Sequence, residues 1–234
     1  MRTICILLLI PLLLSSCVST SNLFQDGKSL GKGNVELGGS FTIHQVPKLE
    51  SKITDDRTGM PWFQAQSQVG VTKKLDLGGG VGISGIGIGG QAFAKYALLP
   101  AESKTGIALL ALAGYASSGS KGNYVEDATF QWADHARYIN FTYSVPISFR
   151  ANDAVTFVLQ PIYGKEIMTV FPADSFFSPT EPTTTRTFES VKLGIGPIVD
   201  VGKVRIHINL TTAYIMNTNS FAPSIGVAGI VRLF

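Results

Sequence analysis

The sequence predicts an all-β protein, an antiparallel up-and-down transmembrane β-barrel of about ten strands (eight to twelve). Three observations carry this. Apolar and small polar residues alternate with period 2 over runs of roughly ten to thirteen residues, the length a tilted strand needs to cross a bilayer. Charged residues make up only 15% of the 234-residue chain, against roughly a quarter in ordinary soluble domains. The set opposite the apolar one is mainly Gly, Ser, Thr, Gln and Asn, with charges gathered at strand ends and loops. A water-facing surface would carry more charge than that, so the apolar face is expected to meet lipid.

The elements follow in chain order. Residues 1–16 read as a signal peptide: Arg2 supplies the positive start, and Ile4 to Leu14 form an apolar run too short to span a bilayer as a helix. Leu14-Ser15-Ser16-Cys17 resembles the lipobox of bacterial lipoproteins. That resemblance implies cleavage before Cys17 and a diacylglycerol on its thiol. Val18 and Ser19 lack the aspartate that, in the proteobacterial pattern, holds lipoproteins at the inner membrane. Cys5 leaves with the signal, so the mature chain keeps one cysteine and no internal disulfide. Residues 17–34 are polar, aperiodic and rich in Gly and Ser, and read as a lipidated tether.

Residues 35–234 are the barrel. The first strand runs from Val35 to Gln45, and a polar loop, Val46 to Met60, leads to the stretch the rest is organised around. There Phe63, Ala65, Ser67, Val69 and Val71 alternate with glutamines, and two further strands follow through Leu98 on minimal turns, making a β-meander. Thr105 to Ala116 is apolar on both faces. Tyr138 to Arg150 alternates Ile139, Phe141, Tyr143, Val145, Ile147 and Phe149 with polar residues and Pro146. Val155 to Gly164, Glu189 to Val201, Val204 to Met216 and Pro223 to Phe234 complete the set. Long loops are expected at 117–136 and 165–187, the second carrying the apolar run Phe171 to Pro179. Connections after even-numbered strands are short, and most after odd-numbered strands are long. Trp62, Phe63, Tyr96, Tyr115, Tyr138, Phe149, Tyr163, Tyr214 and Phe221 fall near strand ends, where aromatic girdles lie.

Short turns at one end and long loops at the other resemble bacterial outer-membrane β-barrels. So does the final strand, which ends on Phe234 and carries Gly229, although Arg232 stands where those barrels have an apolar residue. The resemblance implies an outer-membrane location with the N-terminus periplasmic and lipid-anchored at Cys17. It implies as partners the membrane lipid, the barrel-assembly and lipoprotein-sorting machinery, and a small solute or surface ligand. The alternative architecture is a soluble, lipid-tethered lipocalin-like barrel, which would need a charged outer face. The formal charge of +3 without a basic cluster argues against nucleic acid.

Glu36, Asp76, Lys95, Arg150, Lys192, Asp200, Arg205 and Arg232 fall on or near the inward register. Mixed charges in a confined lumen are expected to pair, closing the barrel floor or forming a ring that selects a small solute. Lumen-facing glycines such as Gly78, Gly80 and Gly82 are expected to leave room inside. Gly80 to Gly85 satisfies the dinucleotide spacing, but strand rather than helix follows it, so it is not a cofactor site. No cofactor and no metal set is expected, since His44, His135 and His207 are scattered. The catalytic candidates are Asp55, Asp56, Asp134 and His135, which resemble the paired groups of the omptin outer-membrane proteases. The omptin pairs are spaced i and i+2, whereas these are adjacent, and adjacent strand residues face opposite ways. The expected function is therefore structural, surface-binding or small-solute transport through a narrow polar lumen, with a rim-located hydrolase as the alternative.

Overall fold

The computed structural model describes residues 25–49, 53–84, 87–118, 122–124, 130–132, 135–171, 184–217 and 219–233. Every regular element among them is a strand: β1 (Val35–Leu49), β2 (Ile53–Gly70), β3 (Leu75–Ser84), β4 (Gly87–Ala97), β5 (Thr105–Ser118), β6 (Gly122–Tyr124), β7 (Phe130–Trp132), β8 (His135–Ser144), β9 (Ile147–Arg150), β10 (Val155–Phe171), β11 (Thr184–Val201), β12 (Val204–Ile215) and β13 (Ser220–Arg232). Each long strand pairs antiparallel with its sequence neighbours, and β1 pairs with β13 from Glu36↔Arg232 to Ile43↔Ile225, which closes the sheet. β8 and β9 both lie between β5 and β10, so they are two parts of one stave. The break falls at Pro146, which has no N–H to give the ladder. Counted this way the barrel has ten staves, and β6 and β7 form a separate small hairpin.

Alternation puts two different solvents on the two faces. Val81, Ile88, Tyr143, Phe157, Val191 and Leu210 point outward and are at least half exposed, a continuous apolar coat over strands of 10–18 residues. At about 3.3 Å per residue and a tilt near 40°, ten to twelve residues cover roughly the 25–30 Å of a hydrocarbon core. Water would not tolerate that coat, and lipid requires it. A soluble barrel would have the opposite polarity.

The inner face departs from the expected polar lumen. Gln64, Gln66, Gln68, Gln91, Asn140, Thr142 and Gln160 are buried there, but so are Phe93, Leu110, Leu112, Ile162, Ile198 and Ile230. Toward the loop end, Met168, Phe188, Ala213, Ile215 and Ala222 form an apolar cluster with Tyr138 against it. The glycines do not leave room; they make space for these side chains. A Cβ on Gly78 would sit 2.3 Å from the Phe93 ring, and one on Gly82 would sit 2.3 Å from Trp62. Trp62 is therefore a lumen residue, 4% exposed, and not a member of the outer girdle. Tyr96, Tyr115, Phe149 and Phe221 do face outward.

Two of the expected loops are shorter than the side-chain pattern suggests. β1 and β2 stay paired through Leu49↔Ile53, well past the last partner of β1 on β13. β10 and β11 stay paired to Val170↔Thr184. Beyond the membrane a ladder needs only backbone hydrogen bonds, so it continues after the apolar alternation stops. The run 172–179 lies outside the described residues.

Candidate functional site

The site is built where the chain enters the barrel. Residues 25–34, part of the segment expected to be a tether, fold into the mouth at the turn end. Gly33 N–H donates to Gly70 O at 2.7 Å and Gly70 N–H to Asn34 O at 2.9 Å, which ties the segment to the start of the barrel. Gly31 and Gly33 take φ of +82° and +84° there, a left-handed path that reverses the chain from the mouth into β1. Before them Gly27 lies flat on the wall: its N–H donates to Ser148 Oγ at 3.2 Å. A Cβ on Gly27 would fall 2.4 Å from the Gly106 carbonyl carbon. Only glycine allows that approach. Gln25 and Asp26 then reach the lumen, 3% and 6% exposed.

Asp26 meets the charges that the inward register supplies. Its Oδ2 accepts from Arg205 Nη2 at 2.8 Å, and its Oδ1 lies 3.5 Å from Lys95 Nζ. Lys95 also donates to Gln25 Oε1 at 3.0 Å and sits 3.2 Å from Asp76 Oδ2. Asp76 in turn accepts from Ser29 Oγ at 2.6 Å and from the Leu30 N–H at 3.1 Å. Arg205 Nε donates to Asp200 Oδ1 at 2.8 Å. Glu36 accepts from Gln68 at 2.6 Å and from Arg232 at 2.7 Å. The network thus joins β1, β2, β3, β4, β11, β12 and β13 to the N-terminal segment. Burial alone would push the Asp26 carboxyl up, but Arg205 and Lys95 outweigh it and hold that carboxyl well below the usual carboxylate range.

Six of the eight inward charges expected from the sequence meet in this network: Glu36, Asp76, Lys95, Asp200, Arg205 and Arg232, the last half-exposed at the rim. Arg150 lies on the same rim and is exposed, lining the mouth rather than the lumen. Lys192 is elsewhere. Following the register, Asp76↔Lys95 continues as Leu110, Ser144, Ile162 and Lys192. These rows climb around the barrel, so Lys192 lies nearer the loop end, where it pairs with Glu166 at 3.3 Å. Gln25, Asp26, Lys28 and Ser29 are the site residues that sequence reasoning missed.

Above the network, side chains from the wall crowd around Gln25. The spaces on either side of Gln25 are about 10 Å³ each, one between Gln160, His207 and Asn209 and the other between Glu36, Gln66 and Phe93. That is about one water apiece.

The backbone at Asp55 and Asp56 belongs to the β2 ribbon, and that at His135 opens β8, with β3, β4 and β5 between them in the sheet. Asp134 and Cys17 lie outside the described residues. Among the described residues no group of three His, Cys, Asp or Glu side chains could hold a metal.

Neither a protein-family model nor a curated protein sequence matches the chain. Among solved structures it is similar to the attachment invasion locus protein Ail of Yersinia pestis, at 10% identity and TM-score 0.44 over 86% of this chain and 99% of that one. It is similar to the outer-membrane protease OmpT of Escherichia coli, at 10% identity and TM-score 0.44 over 92% and 98%. It is also similar to the translocator domain of the autotransporter NalP of Neisseria meningitidis, at 7% identity and TM-score 0.49 over 87% and 89%.

Proposed function

We propose that the protein is an outer-membrane β-barrel lipoprotein that acts as a closed, surface-binding scaffold, sealed at its periplasmic end by its own N-terminal segment. The observation that carries this reading is the stopper: Asp26 held by Arg205 and Lys95 in the mouth, with room for about one water in each of the two spaces beside Gln25. Solute transport would need a continuous path, and the N-terminal segment stands across it at the mouth. The other end supports binding. The β1–β2 and β10–β11 ribbons run beyond the last paired residues of β13 and β12, and carry paired backbone outside the lipid. Cys17 is eight residues before Gln25, a distance of at most roughly 28 Å, so a lipid on it reaches the leaflet on the stoppered side.

Liposome swelling tests the reading. Proteoliposomes of the refolded mature chain should not swell in glycine or arabinose faster than empty vesicles. Swelling at a rate that rises with protein content would replace the scaffold with a solute pathway.

A further inference from the structure

We propose that the cavity at the stoppered mouth binds a phosphate-bearing anion. It encloses about 290 Å³ between the N-terminal segment and the barrel wall, close to the lower size of small-molecule sites. Its acids already have cations. Asp26 is on Arg205 and Lys95, Glu36 on Arg232, and Asp200 on Arg205. Three cations around it keep donors in reserve. Arg232 uses Nε on Glu36, which leaves its terminal nitrogens. Lys28 gives two protons, to the Ala101 and Ser103 carbonyls. Arg150 has no ion pair with any described residue.

Lys28 and Arg150 are neighbours of like charge. Burial first, and then Arg150, lower the Lys28 pKa, while Asp26 and Glu102 only partly oppose this. An anion between the two would relieve both. A guanidinium fork beside an ammonium suits a phosphate, which the arginine binds with paired hydrogen bonds and the lysine as a point charge. The buried Thr156 lines the same cavity. The phosphate could belong to a phospholipid headgroup at the membrane boundary or be free in solution. The site does not depend on whether the lumen conducts.

Isothermal titration of the refolded mature chain in maltoside detergent tests this, with inorganic phosphate in one arm and dihexanoyl phosphatidylglycerol in the other. Saturable binding is expected in at least one arm, weakened about tenfold by Arg150→Ala and by Lys28→Ala, with Arg150→Lys intermediate. Heat-modifiable gel mobility shows that each variant is folded. Phosphate binding as tightly as the lipid assigns the site to a free anion, and binding of the lipid alone assigns it to a headgroup. Should a variant fail to fold, acetylation of Lys28 in the wild type gives the same answer, since the bound probe should slow it. No binding in either arm, or equal affinity in wild type and both variants, overturns the proposal.

Discussion

Asp26→Ala removes the centre of the latch. Deleting one partner of a buried ion pair typically costs about 3–5 kcal/mol, because the other charge is left unpaired. Here Arg205 keeps Asp200 and Glu36, and Lys95 keeps Asp76. The lower end therefore applies, about 3 kcal/mol, or roughly a 100-fold shift toward the released segment. The reporter is Gln25→Cys in protein refolded from residue 18, which has no other cysteine. Gln25 is buried in the mouth, so a bulky maleimide reacts only when the segment leaves it. Adding Asp26→Ala should speed labelling about 100-fold. The pH dependence has a fixed sign. The latched carboxyl sits below its ordinary value of 3.8, so its contribution is complete above that value and fades as the pH falls beneath it. The two labelling rates should differ by the same factor from pH 8 to 5, and that factor should begin to shrink only below about pH 4. Equal rates at pH 7 would refute the latch.

The other expectations concern the two faces of the wall. Phe141→Arg and Ile195→Arg place a charge in the middle of the outward apolar coat, and each should lower stability by roughly 2–4 kcal/mol in urea titrations in lipid; a change under 0.5 kcal/mol at both would mean that this face does not meet hydrocarbon. Gly82→Val should collide with Trp62 and cost about 1–3 kcal/mol, and Trp62→Ala added to it should recover most of that loss. An additive double variant would place Trp62 elsewhere. Lipid on Cys17 is tested by radiolabelled palmitate, which should enter the wild type and not Cys17→Ala; equal labelling would remove the anchor.

Much of this architecture could be read from the chain because a barrel writes its two solvents into alternate residues. Phe141 and Thr142 are adjacent and face lipid and lumen, and the sequence states that directly. The clustering of Glu36, Asp76, Lys95, Asp200 and Arg205 was legible for the same reason. What alternation does not encode is depth. Lys192 and Lys95 lie in one register row, yet the climb of that row separates them along the barrel. Nor does alternation show a segment that enters the lumen without being a strand. A charge count could have pointed there. The expected inward set has five cations (Lys95, Arg150, Lys192, Arg205, Arg232) and three anions (Glu36, Asp76, Asp200), an excess of 5 − 3 = 2. Two acids outside that set, Asp26 and Glu166, answer it by pairing with Arg205 and Lys192. Trp62 was misplaced because girdle aromatics and lumen aromatics both sit near strand ends. The glycines at 82 and 89, which a Cβ would drive into its ring, carry the distinguishing signal.

The central claim is that this barrel is closed by its own chain, and planar-bilayer conductance of the mature protein tests it most directly. The complete chain should give no steady current above the bare membrane at either polarity. A chain beginning at Asn34, which lacks the segment from Gln25 to Gly33, should show small openings through the unstoppered mouth. A large, steady conductance from the complete chain would contradict the account.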